Sequence, residues 1–64
     1  MNLSDIKRNL NRTVLYKDGK YKLVGCIFRQ NEKTGDYFYQ VELLDLRSGR
    51  STVICKLDDV EESG

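Results

Sequence analysis

The residues in this chain best equipped for recognition chemistry are aromatic. Tyr16 and Tyr21 flank an Asp-Gly turn, and Tyr37, Phe38 and Tyr39 follow one another further on. A tyrosine ring can stack on a base, hold a cation over its face or fill an apolar pocket while its hydroxyl stays wet. Lys20, Lys22, Arg12 and Arg29 lie close to these rings along the chain. The other reactive side chains are fewer. There is no histidine, the commonest acid or base near neutral pH. Gly19, Gly25, Gly35, Gly49 and Gly64 are scattered, so no glycine-rich phosphate loop is present. Asp58, Asp59, Glu61 and Glu62 are neighbours only in sequence. These absences argue against an enzyme.

Cys26 and Cys55 invite a redox or metal reading. A structural zinc site takes four ligands, usually as closely spaced pairs. Two cysteines 29 positions apart do not supply them. The expectation is two small buried hydrophobes, with no metal and no cofactor.

The totals bound what can hold these groups. Sixty-four residues make one domain, 1–64, that buries only about 60% of the surface of its unfolded chain. With at most one disulfide, the fold must rest on apolar strands or on a partner. The apolar runs are far shorter than the roughly 20 residues of a membrane span. The first residues lack a secretory core, and a cytoplasmic location is expected. The net charge of +1 conceals an asymmetry. Residues 1–29 carry seven Lys or Arg against Asp5 and Asp18, a net of +5. Residues 30–64 carry four against eight acids, a net of −4. Such a split can steer a charged partner, or simply solvate a small domain.

The strand that positions most of the aromatics is Tyr37-Phe38-Tyr39-Gln40-Val41-Glu42-Leu43-Leu44-Asp45. Tyr37, Tyr39, Val41 and Leu43 alternate with Gln40 and Glu42, the period of a half-buried strand. Residues 1–11 predict a short helix, with Ser4 as N-cap and Leu3, Ile6 and Leu10 on one side. Arg12–Tyr16 predicts a first strand, and Asp18-Gly19 a tight hairpin turn. Tyr21–Arg29 predicts a second strand, apolar on both faces from Leu23 to Phe28, with Gly25 marking a bulge or bend. Gln30–Asp36 is expected to be a mobile loop. Arg50–Lys56 predicts a fourth strand with Val53, Cys55 and Leu57 toward the core. Leu57–Val60 fits one helical turn and Val60–Glu62 a very short fifth strand. Ser63-Gly64 is a loose end.

Short connections pair such strands in order, as an antiparallel meander of four or five strands that curls at its bent member. Val14-Leu15-Tyr16, Asp18-Gly19-Lys20-Tyr21, the bent strand, Tyr37–Val41 and the closing Leu57-Asp58-Asp59-Val60 together resemble the SH3-like and Tudor-like barrels. The resemblance spans residues 12–62. It implies a mainly β, small SH3-like antiparallel barrel behind the helix. In such barrels, aromatics at strand ends grip a cation or a peptide. The chain also resembles in style the short accessory proteins of bacterial phages and mobile elements.

The first functional reading is a non-catalytic module for a protein partner, using Tyr16, Tyr21, Tyr37 and Phe38 with Lys20 and Lys22 at the rim. The alternative is a nucleic-acid-binding barrel using Arg12, Lys20, Lys22 and Arg29, although dedicated binders are usually more basic. A third reading is a structural subunit or a homodimer. The β-rich Ser51–Cys55 stretch would then be an open edge, with Arg50 and Lys56 as flanking charges. The remaining possibility is that the tyrosines only fill a small core.

Overall fold

A computed structural model describes residues 1–63; the expected loose end therefore falls partly, at Gly64, outside the described residues. The elements run α1 (Leu3–Asn9), β1 (Thr13–Tyr16), β2 (Gly19–Gln30), β3 (Tyr37–Asp45), β4 (Thr52–Lys56), a 3-10 turn (Leu57–Asp59) and β5 (Glu61–Glu62). All strands are antiparallel, in one sheet of order β4-β3-β2-β1-β5. The class is mainly β with one short helix, as the patterning predicts.

The expected barrel is not closed. β4 and β5 are the outermost strands of an open sheet. The chain leaving β4 turns as a 3-10 helix and returns as a two-residue strand beside β1, where Val14 and Leu15 pair with Glu62 and Glu61. Closure needs two edges long enough to form a ladder at the right stagger. Two residues of β5 are used up on β1.

The core lies on one face of the sheet. Ile6, Val14, Leu23, Val41, Leu43, Cys55 and Val60 are buried, and Met1, Tyr16, Tyr21 and Leu57 pack against them. Direct cross-strand partners share a face. The rows Leu23–Leu43–Val53 and Val41–Cys55 therefore form the floor. Ile6 from the helix and Val60 after the 3-10 turn cover it.

β2 carries one extra residue. Leu23 pairs with Leu43, yet Cys26 pairs with Val41, so three steps on β2 match two on β3. This is the bulge expected at Gly25. It moves Cys26 and Phe28 onto the face of Leu23, and sends Gly25 and Ile27 to the other side. Gly25 does not have a positive φ, and a Cβ built on it would meet nothing closer than a Glu42 carboxylate oxygen at 3.6 Å. Its glycine identity is not a steric demand of the bulge.

Several local expectations are corrected. The helix is shorter than residues 1–11, and its N-cap is Asn2, not Ser4. Asn2 Oδ1 accepts from the Asp5 N–H and Asp5 Oδ2 accepts from the Asn2 N–H, both at 3.0 Å. This reciprocal box satisfies two otherwise unpaired donors. Asn2 won because its partner carboxylate stands three residues on; Ser4 has Lys7 there. Of the expected apolar stripe, only Ile6 is buried, and Leu3 and Leu10 are exposed. In the first hairpin, Lys17 and Asp18 take the positive φ values, +46° and +62°. Gly19 is instead the first paired residue, opposite Tyr16, and a Cβ there would come within 3.0 Å of the Tyr21 ring. The loop expected to be mobile is shorter, residues 31–36, and five hydrogen bonds tie it together, including Asn31 N–H to Asp36 C=O at 2.8 Å. β4 starts at Thr52, not Arg50, because Ser48 Oγ accepts from the N–H groups of Arg50 and Ser51 and holds both in the turn.

Removing core volume should cost far more than filling the bulge. Leu43→Ala is expected to lower stability by about 2–4 kcal/mol, and Gly25→Ala to change it by less than about 1 kcal/mol. Urea unfolding monitored by circular dichroism measures both. Equal losses would show that the bulge, not the core, tolerates no side chain. A second prediction concerns acid. The Asn2 backbone N–H, then Glu62 and Arg8 nearby, hold the Asp5 carboxyl below its ordinary value of about 3.9. A depressed carboxylate stabilises the fold above its unfolded pKa and loses that contribution as pH falls through the folded value. Asp5→Asn should therefore be less stable than wild type near pH 6. The difference should shrink below about pH 4. A gap that stays constant with pH would show that the carboxylate charge plays no part in the cap.

Candidate binding surface

The residues expected to form one site fall at two ends of the sheet. Tyr21 lies opposite Asp45 and Tyr37 opposite Gln30, at the two ends of the β2–β3 ladder. At about 3.3 Å per residue, the eight steps along β3 separate them by roughly 26 Å. At the first end, Tyr16 and Tyr21 meet edge to face, with ring centres 5.8 Å apart, and both pack on the core. Lys17 Nζ lies 5.4 Å from the Tyr16 ring centre. These two tyrosines are half-buried structural side chains, and Lys20 and Lys22 do not rim a ring pocket with Tyr37 or Phe38.

At the other end the hairpin runs beyond the core. β4 stops at Lys56, opposite Gln40, so Tyr37, Phe38 and Tyr39 have a strand on the β2 side only. Here Phe28 lies directly across from Tyr39 and diagonal to Tyr37. The Phe28 and Tyr37 rings stack with centres 5.2 Å apart and planes 10° from parallel. The Phe28 and Tyr39 rings are 5.1 Å apart and tilted. This three-ring ladder is open to solvent: Phe28 is 59% and Tyr37 64% exposed. Phe38 points to the opposite face, across from Arg29, and is also exposed. A groove of about 520 Å³ runs along the free edge, lined by Asn31, Phe38, Tyr39, Lys56, Leu57 and Asp58.

Tyr37 and Phe38 thus belong to the exposed surface that their sequence position suggests. Phe28 and Tyr39 are the members that sequence reasoning did not assign to a site. Phe28 sits in a run apolar on both faces, and only the bulge decides which face it takes. Its alignment with Tyr39 is a matter of hairpin register, which a six-residue loop leaves open.

The cations are placed apart from the ladder. Lys22 pairs with Thr13 and Leu44, Lys20 with Leu15, and Arg29 with Phe38, all on the sheet face away from the core. Arg29 Nη1 donates to Gln40 Oε1 at 3.4 Å. Arg12 sits elsewhere, in a groove with Arg8, Asn9, Thr13, Glu62 and Ser63. The three-ring ladder and these cations therefore occupy opposite faces, and of the exposed aromatics Phe38 shares the cationic one. Lys56, opposite Gln40, also lies on the cationic face, with Asp58 beside it in the edge groove, and in the loop Lys33 stands between Glu32 and Asp36.

Cys26 and Cys55 are both free thiols. Each pairs with Val41, one from either side, which puts their Cα atoms about 10 Å apart, too far for a disulfide. Contrary to the expectation of two buried thiols, Cys26 is exposed: the pairing with β1 ends at Lys22, so β2 has no strand on its outer side at Cys26. Burial, and then the nearby Asp59 carboxylate, push the Cys55 thiol upward and disfavour its nucleophilic thiolate. No three His, Cys, Asp or Glu side chains cluster in a metal-holding arrangement among the described residues, and no helix there is long and apolar enough to cross a membrane. No protein-family model, curated protein or solved structure matches the chain.

The two cysteines should differ sharply in reactivity. Iodoacetamide at neutral pH is expected to alkylate Cys26 in the native protein and Cys55 only after unfolding, as read by peptide mass spectrometry. Comparable labelling of both in the folded state would contradict the burial of Cys55.

Proposed function

We propose that this chain is a non-catalytic binding module that docks a protein partner on the Phe28–Tyr39–Tyr37 ladder. The observation that carries the reading is the ladder itself: the Phe28 ring packed on both Tyr37 and Tyr39, with Phe28 and Tyr37 more than half exposed. Stacking holds the rings in place before any partner arrives, which lowers the ordering cost of binding. Aromatic side chains are enriched where protein surfaces meet, and contiguous exposed apolar surface on a small domain marks such a site. The balanced charges near the ladder favour a protein surface over a phosphate backbone, which would call for cations beside the rings. Strand order, the return of β5 beside β1 and the bent β2 support an SH3-like topology opened along the seam between β4 and β5. The nucleic-acid alternative would work from the opposite face, through Lys20, Lys22, Arg29 and Phe38.

Phe28→Ala and Tyr37→Ala should each weaken partner capture by the immobilised chain about tenfold or more, while Lys22→Ala leaves it intact. Both variants should stay folded, with the urea midpoint lowered more by Phe28→Ala, which loses both ring pairs, than by Tyr37→Ala, which loses one. Unchanged capture by both aromatic variants would remove the site. A single-stranded oligonucleotide that binds, weakens steeply with salt and depends on Lys22 and Arg29 would establish the alternative instead.

A further inference from the structure

The second feature left open by the fold is the edge strand β4. Its inner backbone is accounted for. The Asp45 N–H donates to the Ser51 carbonyl at 2.8 Å, so Asp45 and Ser51 turn their polar groups toward each other. An antiparallel ladder alternates, and Leu43–Val53 and Val41–Cys55 follow as the next hydrogen-bonded pairs. Thr52, Ile54 and Lys56 must therefore aim their N–H and C=O groups outward, at the free edge. β5, at the far end of the strand order, is two residues long and carries two glutamates, which blunt it against pairing. β4 is five residues long, and its central outward member is Ile54, 54% exposed.

We propose that β4 pairs antiparallel with β4 of a second copy of this chain, about a two-fold axis through Ile54. Backbone parity permits only registers that place even-numbered residues opposite even-numbered ones. Only an axis on Ile54 overlaps the whole of Thr52–Lys56 with itself, and charge disfavours the neighbouring register centred on Val53. Centring the axis on Val53 would set Arg50 against Lys56, like charge on like, at both ends. Centring it on Ile54 sets Lys56 against the neutral Thr52. It also brings Arg50, entering β4, toward Asp58 of the second copy, leaving it. The two copies thus present a positive strand entry to a negative strand exit twice over. Ile54 meets its own copy at the axis, a cross-strand apolar pair. The contact adds about six backbone hydrogen bonds and extends the sheet to ten strands. Two five-residue strands bury well under the roughly 1,200 Å² of a standard interface, so the dimer is a weak, reversible one, with a dissociation constant of roughly 10 μM to 1 mM. The Phe28–Tyr37 ladder lies beyond the end of β4 and is left free. The dimer therefore stands or falls independently of the binding role proposed above.

Sedimentation equilibrium from about 5 μM to about 1 mM, at low salt, tests this. Wild type should rise from the monomer mass toward the dimer mass. Ile54→Lys places two lysines face to face at the axis and should stay monomeric with an unchanged circular dichroism spectrum. Arg50→Glu should weaken association several-fold, and Arg50→Glu combined with Asp58→Lys should restore it. On a Cys26→Ser background, Ile54→Cys should oxidise to a covalent dimer, because a hydrogen-bonded antiparallel pair sets Cα atoms about 5.5 Å apart. A monomer throughout the range would overturn the proposal, as would association that survives Ile54→Lys or disappears with Tyr37→Ala. Failure of the charge reversal alone would overturn the Ile54-centred register.

Discussion

The single extra residue in β2 between Leu23 and Cys26 controls the face of every side chain beyond it. A strand has a period of two, so one inserted residue exchanges inside and outside for the rest of its length. Up to Leu23, β2 serves the core with Tyr21 and Leu23. Past the bulge, Cys26 and Phe28 take up the same face, and Gly25 and Ile27 leave it. Had the ladder run without a slip, Phe28 would lie across the sheet from Tyr37 and Tyr39, and no ring stack would form. The bulge also explains a stretch in which both faces look apolar. Leu23 to Phe28 is two half-strands of opposite phase, not one buried strand.

The core that this arrangement permits is small, with seven buried side chains among the described residues. It is concentrated at the end of the sheet where all five strands and the helix meet. There the helix and the last strand are tied together at the surface, where Arg8 bridges the carboxylates of Asp5 and Glu62. Exposed ion pairs contribute little, and the burial of Ile6 and Val60 does more to hold the cover in place. The β2–β3 hairpin extends past this region, and the molecule measures 36 Å along its longest axis against 18 Å along its shortest. Its projecting part has no second layer. Ring-on-ring packing takes the place of a core there, and each pair contributes on the order of 1 kcal/mol. The same lack of cover makes those rings accessible.

The free edges follow from the path of the chain after β4. The 3-10 turn directs Val60 into the core and sends the chain to β1, ending β4 opposite Gln40. That choice leaves Tyr37–Tyr39 without a strand on one side and leaves β4 as an edge of useful length. The two exposed features of the fold thus have one origin, the turn that takes the chain from β4 across to β1.

Much of the fold was legible in the sequence because it is encoded locally. The alternation from Tyr37 to Asp45 marks β3 residue for residue, Asp18-Gly19 marks the first hairpin, and Leu57-Asp58-Asp59 marks the turn before β5. Even the bulge announced itself through Gly25. The sequence likewise placed Tyr37 and Phe38 on a strand that shows both faces. The tertiary structure alone decided the rest. Whether Tyr16 and Tyr21 are covered depends on core contacts from distant segments. Pairing Phe28 with Tyr39 depends on the phase shift of a bulge plus the register across a loop. Whether the sheet closes depends on where the chain runs after Lys56. Periodicity and turn chemistry act over a few residues. Register, cover and strand length are settled between segments far apart in the chain, where no local pattern carries the information.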